Sequence, residues 1–202
     1  MIAEIPGLTD EIVLIGAHLD SWDLGTGAID DGAGIGITVG AAKLIMGLNK
    51  VPKRTIRVVM FGSEEVGLVG ARAYAEKYKS SLHKHIVGAE SDFGAGRIWK
   101  FDTNFAPEKL YLGDAIHKIL EPLGIGRGDN NASGGPDIGP IRELGVPAVT
   151  LKQNGWDYFD YHHTADDTLD KIDPSDMAQN VAAYAAFTWI VANLDDDFRS
   201  TE

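Results

Sequence analysis

The chain has 202 residues, a formal net charge of −12, a sequence pI of about 4.8 and no cysteine. This acidic balance argues against a nucleic-acid partner, because such binding depends on clustered Lys and Arg that neutralise phosphates. The lack of cysteine excludes disulfides and thiolate metal sites. No apolar run approaches the roughly 18 residues of a membrane span, and the N-terminus has no signal-peptide pattern.

Apolar β-type runs alternate with helical segments along the chain. The predicted elements in order are strands 2–5 and 11–17, helix 32–48, strand 55–61, helix 66–80, strands 85–89 and 97–101, helices 107–120 and 137–144, strand 147–151 and a helix from residue 174. Such alternation predicts an α/β fold, a three-layer α/β/α sandwich around a mostly parallel sheet. Residues 6–10 predict a hairpin between the first two strands, which would make the sheet mixed.

Acidic residues follow directly on three of the predicted strands. Asp20 comes after the second strand together with His18, Glu64 and Glu65 come after the third, and Asp92 follows the fourth. In open α/β sheets, ligands bind outside the carboxyl ends of the strands. We therefore expect these side chains at one edge of the sheet, joined by the histidine pair of the loop before the last helix.

Each position also has a simpler explanation when it is taken alone. Glu64 and Glu65 could lie in the first turn of a helix, where acids interact favourably with the macrodipole. Asp92 could be a turn residue, and the pair 30–31 could cap the following helix. The histidines 162–163 could be ordinary surface residues. All these coincidences together in one chain are much less probable than any single one.

Two histidines with three or four carboxylates suit a pair of divalent cations. Zinc binds imidazole nitrogen and carboxylate oxygen, and a catalytic site keeps one position for water. A carboxylate can bridge two metals that lie ~3.5–4 Å apart, and the water they share becomes a nucleophile near neutral pH. A further carboxylate must stay off the metals to accept the proton of that water. The residues thus favour a two-metal hydrolase.

The motifs that carry these residues resemble a known family. In chain order they are His18-Leu-Asp20-Ser-Trp22, Gly27-Ala-Ile-Asp30-Asp31-Gly-Ala-Gly34, Gly62-Ser-Glu64-Glu65-Val-Gly-Leu-Val-Gly70, Glu90-Ser-Asp92 and His163-Thr-Ala-Asp-Asp-Thr168. The set is similar to the co-catalytic di-zinc aminopeptidases and carboxypeptidases, with the zinc-exopeptidase fold. Within this family, the likeness is to the plasma glutamate carboxypeptidase (carboxypeptidase Q) branch. It is carried by residues 2–7, by residues 52–55 and by the adjacent histidines 162 and 163.

The resemblance implies two Zn²⁺ per chain and five metal ligands: His18, Asp30, Glu65, Asp92 and His163. His18 and Asp92 would hold one zinc, Glu65 and His163 the other, and Asp30 would bridge them. In this family a cis peptide often follows the bridging aspartate. His162 would instead line the substrate pocket.

Two further roles follow from the same resemblance. Glu64 would be the general base that activates the zinc-bridged water and then protonates the leaving amine. Asp20 would hydrogen-bond His18 and fix its tautomer, as carboxylate partners of metal-bound histidines do. The implied activity is that of a metallo-exopeptidase acting on short peptides or dipeptides.

The resemblance covers essentially the whole chain, so we expect residues 1–202 to form a single zinc peptidase catalytic domain. Longer relatives carry an N-terminal segment and a protease-associated insert before this domain, so we expect either the catalytic portion of a longer protein or a reduced form. Members of the branch suggest a secreted or periplasmic protein, and a homodimer is a candidate assembly. Residues 133–137 and 153–161 are expected to wall the specificity pocket, with packing inside the loop as the alternative for its aromatic residues.

Two other functions remain open at this stage. The fold also serves as a non-catalytic binding or dimerisation module, as in the transferrin receptor, although such a protein is expected to lack several ligands. The related glutaminyl cyclases carry out acyl transfer with one metal. The Glu64-Glu65 pair and the complete ligand set favour hydrolysis, by an aminopeptidase or by a dipeptidase or carboxypeptidase.

Overall fold

The computed structural model describes residues 1–200. Its strands and α-helices, in chain order, are β1 (Ile2–Ile5), β2 (Thr9–His18), α1 (Ala33–Gly47), β3 (Arg54–Phe61), α2 (Val69–Tyr78), β4 (His85–Glu90), β5 (Ile98–Asn104), α3 (Leu110–Leu120), β6 (Gly126–Arg127), α4 (Gly139–Arg142), β7 (Ala148–Gln153), α5 (Tyr158–Tyr161) and α6 (Pro174–Asn193). The single domain expected for residues 1–202 includes residues 201 and 202, which lie outside the described part. Among residues 1–200, no helix is long and apolar enough to cross a membrane.

The strands form one mixed sheet in the order β1-β3-β2-β4-β7-β5-β6. The pairs β2–β3, β2–β4, β4–β7 and β5–β6 are parallel, whereas β1–β3 and β5–β7 are antiparallel. The mostly parallel α/β sheet expected from the sequence is therefore confirmed. The two-residue strand β6 lies between the predicted helices 107–120 and 137–144, where no strand was expected.

The predicted hairpin between β1 and β2 is wrong, because β3 lies between them. β1 pairs antiparallel with β3, with Ile2 opposite Val59. The connection crosses the start of β3, where the Thr9 N–H donates to the carbonyl of Lys53 at 2.9 Å. Gly7 permits this crossing, since a Cβ there would lie 2.3 Å from the Arg54 carbonyl carbon. The mixed sheet thus arises from a long-range pairing rather than from a local turn.

The two faces of the sheet are covered by different helices. Alternate residues of a strand point to opposite faces. Val13 and Ile15 of β2 accordingly pack with α1, α3 and α6, whereas Ile12 and Leu14 pack with α2 and the α4 region. The fold therefore has the three layers expected from the sequence.

The parallel register brings three strand ends to the same edge. His18, the last residue of β2, lies opposite Phe61, the last residue of β3, and Gly16 lies opposite Glu90 at the end of β4. The chain after each strand consequently emerges at one place. This edge carries the predicted acidic positions.

A chain of polar contacts joins β3, α2 and the start of β4. The Arg57 guanidinium donates to the Tyr74 hydroxyl at 2.8 Å, and that hydroxyl lies 2.7 Å from Nε2 of His85. Burial, together with the positive charge of Arg57, lowers the pKa of His85 to about 4. The folded protein therefore favours the neutral imidazole.

We expect His85 to weaken the metal-free fold as the pH falls. The pKa of an unfolded histidine is about 6.5, so below that value the unfolded chain binds a proton that the folded chain rejects. Between pH 7 and pH 4 the wild type should lose about 3 kcal/mol more of its free energy of unfolding than His85→Gln. Urea unfolding of both proteins at a series of pH values measures this difference. Equal pH dependence in the two proteins would contradict it.

Candidate metal centre

His18 is the buried anchor of the cluster at the sheet edge, with only 1% of its surface exposed. Its Nε2 lies 3.0 Å from Oδ1 of Asp30 and 3.5 Å from Oδ1 of Asp92. Its Nδ1 lies 2.9 Å from the backbone carbonyl oxygen of Asp20. Because a carbonyl only accepts, Nδ1 carries the proton of that bond. The nitrogen that can bind a cation, Nε2, therefore faces the two carboxylates.

Asp30 lies between two groups of donors. Its Oδ1 faces His18, whereas its Oδ2 lies 3.3 Å from Nε2 of His162 and 3.2 Å from Nε2 of His163. The peptide bond that follows Asp30 is cis, as expected from the family. A carboxylate whose two oxygens face separate sets of ligands has the arrangement of a bridging ligand.

The two loop histidines, His162 and His163, make different contacts beyond Asp30. Nε2 of His163 also lies 2.9 Å from Oε2 of Glu65. The ring of His162 instead stacks on that of His163, at 3.5 Å between centroids, and lies against the rings of Tyr158 and Phe159. Both histidines thus face Asp30. His163 also meets Glu65, and His162 packs against the aromatic residues of α5.

Asp31 is adjacent to Asp30 but is used differently. Its carboxylate is 2% exposed and accepts the backbone N–H groups of His18 and Gly34, both at 3.0 Å. Burial and the nearby charge of Asp92 raise the pKa of Asp31. Asp31 therefore fixes the backbone of β2 against the start of α1, and Asp30 is the member of the pair that faces the cluster.

Asp20 orients the centre through different atoms from those we expected. The sequence analysis assigned its carboxylate to His18, but that carboxylate lies 3.8 Å from Nδ1, too far for a hydrogen bond. The backbone carbonyl of Asp20 contacts His18 instead. The carboxylate accepts the backbone N–H groups of Glu64 and Glu65, at 3.0 and 3.2 Å. Asp20 thus joins the end of β2 to the turn after β3.

Glu64 and Glu65 occupy that turn, and both are partly buried. Burial raises the pKa of Glu64, and the neighbouring charge of Asp92 adds to the effect. Burial and the charge of Asp30 raise the pKa of Glu65. A candidate ligand atom of Glu64 lies within 4.8 Å of those of His18 and Glu65. Glu64 is therefore close enough to serve a reaction at the cluster.

The electrostatics of the cluster favour a bound cation. Burial acts to lower the pKa of His18, but its contacts with Asp30 and Asp92 outweigh burial and raise that pKa to about 12. The imidazolium thus supplies the positive charge that these carboxylates require. Oε1 of Glu65 is buried and has no hydrogen-bond partner among residues 1–200. Imidazole nitrogens and carboxylate oxygens are donors that zinc accepts, so the residues fit a metal ion.

The sequence analysis did not identify Asp167. Its carboxylate is 2% exposed and accepts the N–H of Ile29 at 2.6 Å and the N–H of Asp30 at 3.2 Å. The N–H of Thr26 donates to its carbonyl. Asp167 therefore holds the turn that presents Asp30, and it links that turn to the histidine loop. The doubled aspartate at 166–167 was the sequence signal that could have identified Asp167. It lies in the motif 163–168, which was quoted above for its histidine.

The α/β fold and the histidine–carboxylate cluster are typical of metal-dependent hydrolases. The chain belongs to peptidase family M28, whose family model matches residues 1–188. The resemblance drawn from the five motifs is thereby confirmed.

Individual relatives agree with this placement. Carboxypeptidase Q from Rattus norvegicus is 35% identical over 197 residues, which cover 96% of this chain and 42% of that protein. A crystal structure of a peptidase M28 precursor from Shewanella amazonensis is 54% identical, with a TM-score of 0.96 over 98% of this chain and 46% of that one. A zinc aminopeptidase from Bacillus subtilis, at 22% identity and a TM-score of 0.68 over 92% of this chain and 48% of that one, shares the fold. The chain thus spans less than half the length of these relatives.

We expect Asp167→Asn to destabilise the metal-free protein by about 1–3 kcal/mol. The amide keeps one acceptor oxygen but turns an NH₂ group toward a buried backbone N–H. Urea unfolding measures the change, and Asp166→Asn is the matched control because its side chain is exposed. Equal stability of the two variants would show that Asp167 does not hold the Asp30 turn.

Proposed function

We propose that the chain is the catalytic part of a metal-dependent exopeptidase that removes one residue from a short peptide. The observation that carries this proposal is the position of Asp30, whose Oδ1 lies 3.0 Å from Nε2 of His18 and whose Oδ2 lies 3.2 Å from Nε2 of His163. The family supports peptide hydrolysis, and the names of its members include carboxypeptidases and aminopeptidases.

Two zinc ions would fit the donor set on either side of Asp30. One would be held by His18 and Asp92, and the other by Glu65 and His163. When bound, zinc supplies Lewis-acid polarisation of a carbonyl and lowers the pKa of a water molecule. The carboxylates Asp20, Asp31 and Asp167 already accept backbone N–H groups and would hold the surrounding chain in place.

Glu64 is the proposed general base. Its backbone N–H is fixed by Asp20, and its carboxyl group lies near His18 without belonging to the two proposed ligand sets. A carboxylate so placed can accept a proton from the attacking water and pass it to the leaving amine. Burial raises the pKa of Glu64 above its ordinary value in the metal-free protein.

A cavity of 660 Å³ beside Asp92 would receive the substrate. Its walls include residues 133, 135–136 and 150–156, which agree in part with the segments expected to form the specificity pocket. The rings of Phe93, Trp99 and Trp156 line it together with the ammonium-bearing Lys152. Such a surface would accept a side chain with a sizeable apolar part.

We expect Glu64→Gln to keep its metal ions and to lose at least ~100-fold in turnover, because the amide cannot accept the proton of the attacking water. The assay uses the zinc-loaded protein on aminoacyl anilides, free dipeptides and N-blocked peptides, each with and without a chelator. Glu121→Gln is the matched control, since its side chain is exposed and far from the centre in sequence and fold.

The outcomes separate the competing functions. Hydrolysis that chelator abolishes, zinc restores and Glu64→Gln loses supports the peptidase. Cyclisation of an N-terminal glutaminyl peptide without hydrolysis would indicate acyl transfer. Zinc binding with no turnover of any substrate would indicate a binding module, and activity retained by Glu64→Gln would assign the base elsewhere.

A further inference from the structure

Trp22 contacts the centre, and neither the motifs nor the proposed mechanism gives it a role. It follows β2 by four residues and is 47% exposed. Its indole Nε1–H donates to Oε2 of Glu65 at 2.6 Å. Its ring lies 5.3 Å from that of His163, centroid to centroid. One side chain thus touches both of the residues proposed to hold the second zinc.

The hydrogen bond from Trp22 restricts the terminal side-chain torsion of Glu65. The terminal torsion of a glutamate is broad, so its carboxyl group rotates easily. The indole N–H holds Oε2 of Glu65 in place, 2.9 Å from Nε2 of His163. Oε1 of Glu65 stays buried, with no hydrogen-bond partner in the described part of the chain. Hydrogen bonds to ionised acceptors are short and roughly twice as strong as neutral ones. The carboxylate is therefore oriented before any cation binds.

The donor is also uncharged, which matters for the affinity of a cation. A Lys or Arg at this place would orient the carboxylate but compete with the metal for its negative charge. Indole has a single N–H donor and no charge. Trp22 can thus fix the direction of Glu65 and leave its charge available.

We propose that Trp22 is a positioning residue that fixes Glu65 and shields His163, and so raises the affinity of the Glu65–His163 side for zinc. This inference rests on the proposed function. Partners that orient metal ligands typically contribute 10–100-fold to metal affinity. The effect should fall on one of the two zinc ions, because Trp22 contacts Glu65 and His163, which are both proposed to hold the same ion.

The test is Trp22→Phe, which keeps an aromatic ring beside His163 and removes the N–H. Zinc titration against a chromophoric chelator should show one ion bound about 10–100-fold more weakly and the other unchanged. Tryptophan fluorescence gives an independent readout: zinc should change the emission of the wild type but no longer that of Trp22→Phe. Trp189→Phe on α6 is the matched control and should keep both properties.

Further measurements separate the possible causes of a change in zinc affinity. If Trp22→Phe and the wild type both bind two zinc ions with equal affinities, the proposed role of Trp22 is overturned and the proposed function stands. A wild type that binds no zinc would contradict the proposed function itself. In a Glu65→Gln background, Trp22→Phe should weaken zinc binding no further; a second 10-fold loss there would show that Trp22 acts by another route. Far-UV circular dichroism of the metal-free proteins should match, since a loss of secondary structure would assign the weaker zinc binding to the fold.

Discussion

The position of the Asp30 carboxylate is the constraint on which the candidate centre depends. Three imidazole nitrogens lie 3.0–3.3 Å from its two oxygens, and they come from the end of β2 and from a loop more than 130 residues later. Asp167 holds the backbone of this turn from the loop side. The sheet edge and the histidine loop are therefore fixed to each other through one short segment. Any displacement of that segment would separate the two halves of the donor set.

The acidic residues around the centre divide into two classes. Those of the first accept backbone N–H groups and hold the chain together: Asp20, Asp31 and Asp167. Those of the second face one another and the histidines: Asp30, Glu64, Glu65 and Asp92. Buried carboxylates of the second class repel one another unless a positive charge lies between them. In the metal-free protein, the contacts of His18 with Asp30 and Asp92 raise its pKa and favour the imidazolium. Bound divalent cations would supply the positive charge in its place.

Much of this arrangement could be predicted from local sequence, and the exceptions have a physical cause. Continuous apolar runs ending in acids located the strand ends, because parallel strands direct their carboxyl ends to one edge. Pairing partners are not local: β1 joins β3 rather than β2. The contact of Asp167 with Asp30 spans 137 residues, and the doubled aspartate at 166–167 does not indicate which distant backbone it meets. Which atom of Asp20 meets His18 depends on a turn geometry that composition does not determine.

Asp30 is proposed to lie between two metal ions, and anomalous diffraction at the zinc absorption edge, from crystals of the zinc-loaded protein, can locate them. We expect two zinc peaks roughly 3.5–4 Å apart, one beside His18 and Asp92 and the other beside Glu65 and His163, with Asp30 between them. A single peak with Asp30 bound through one oxygen, or peaks away from these residues, would contradict this proposal.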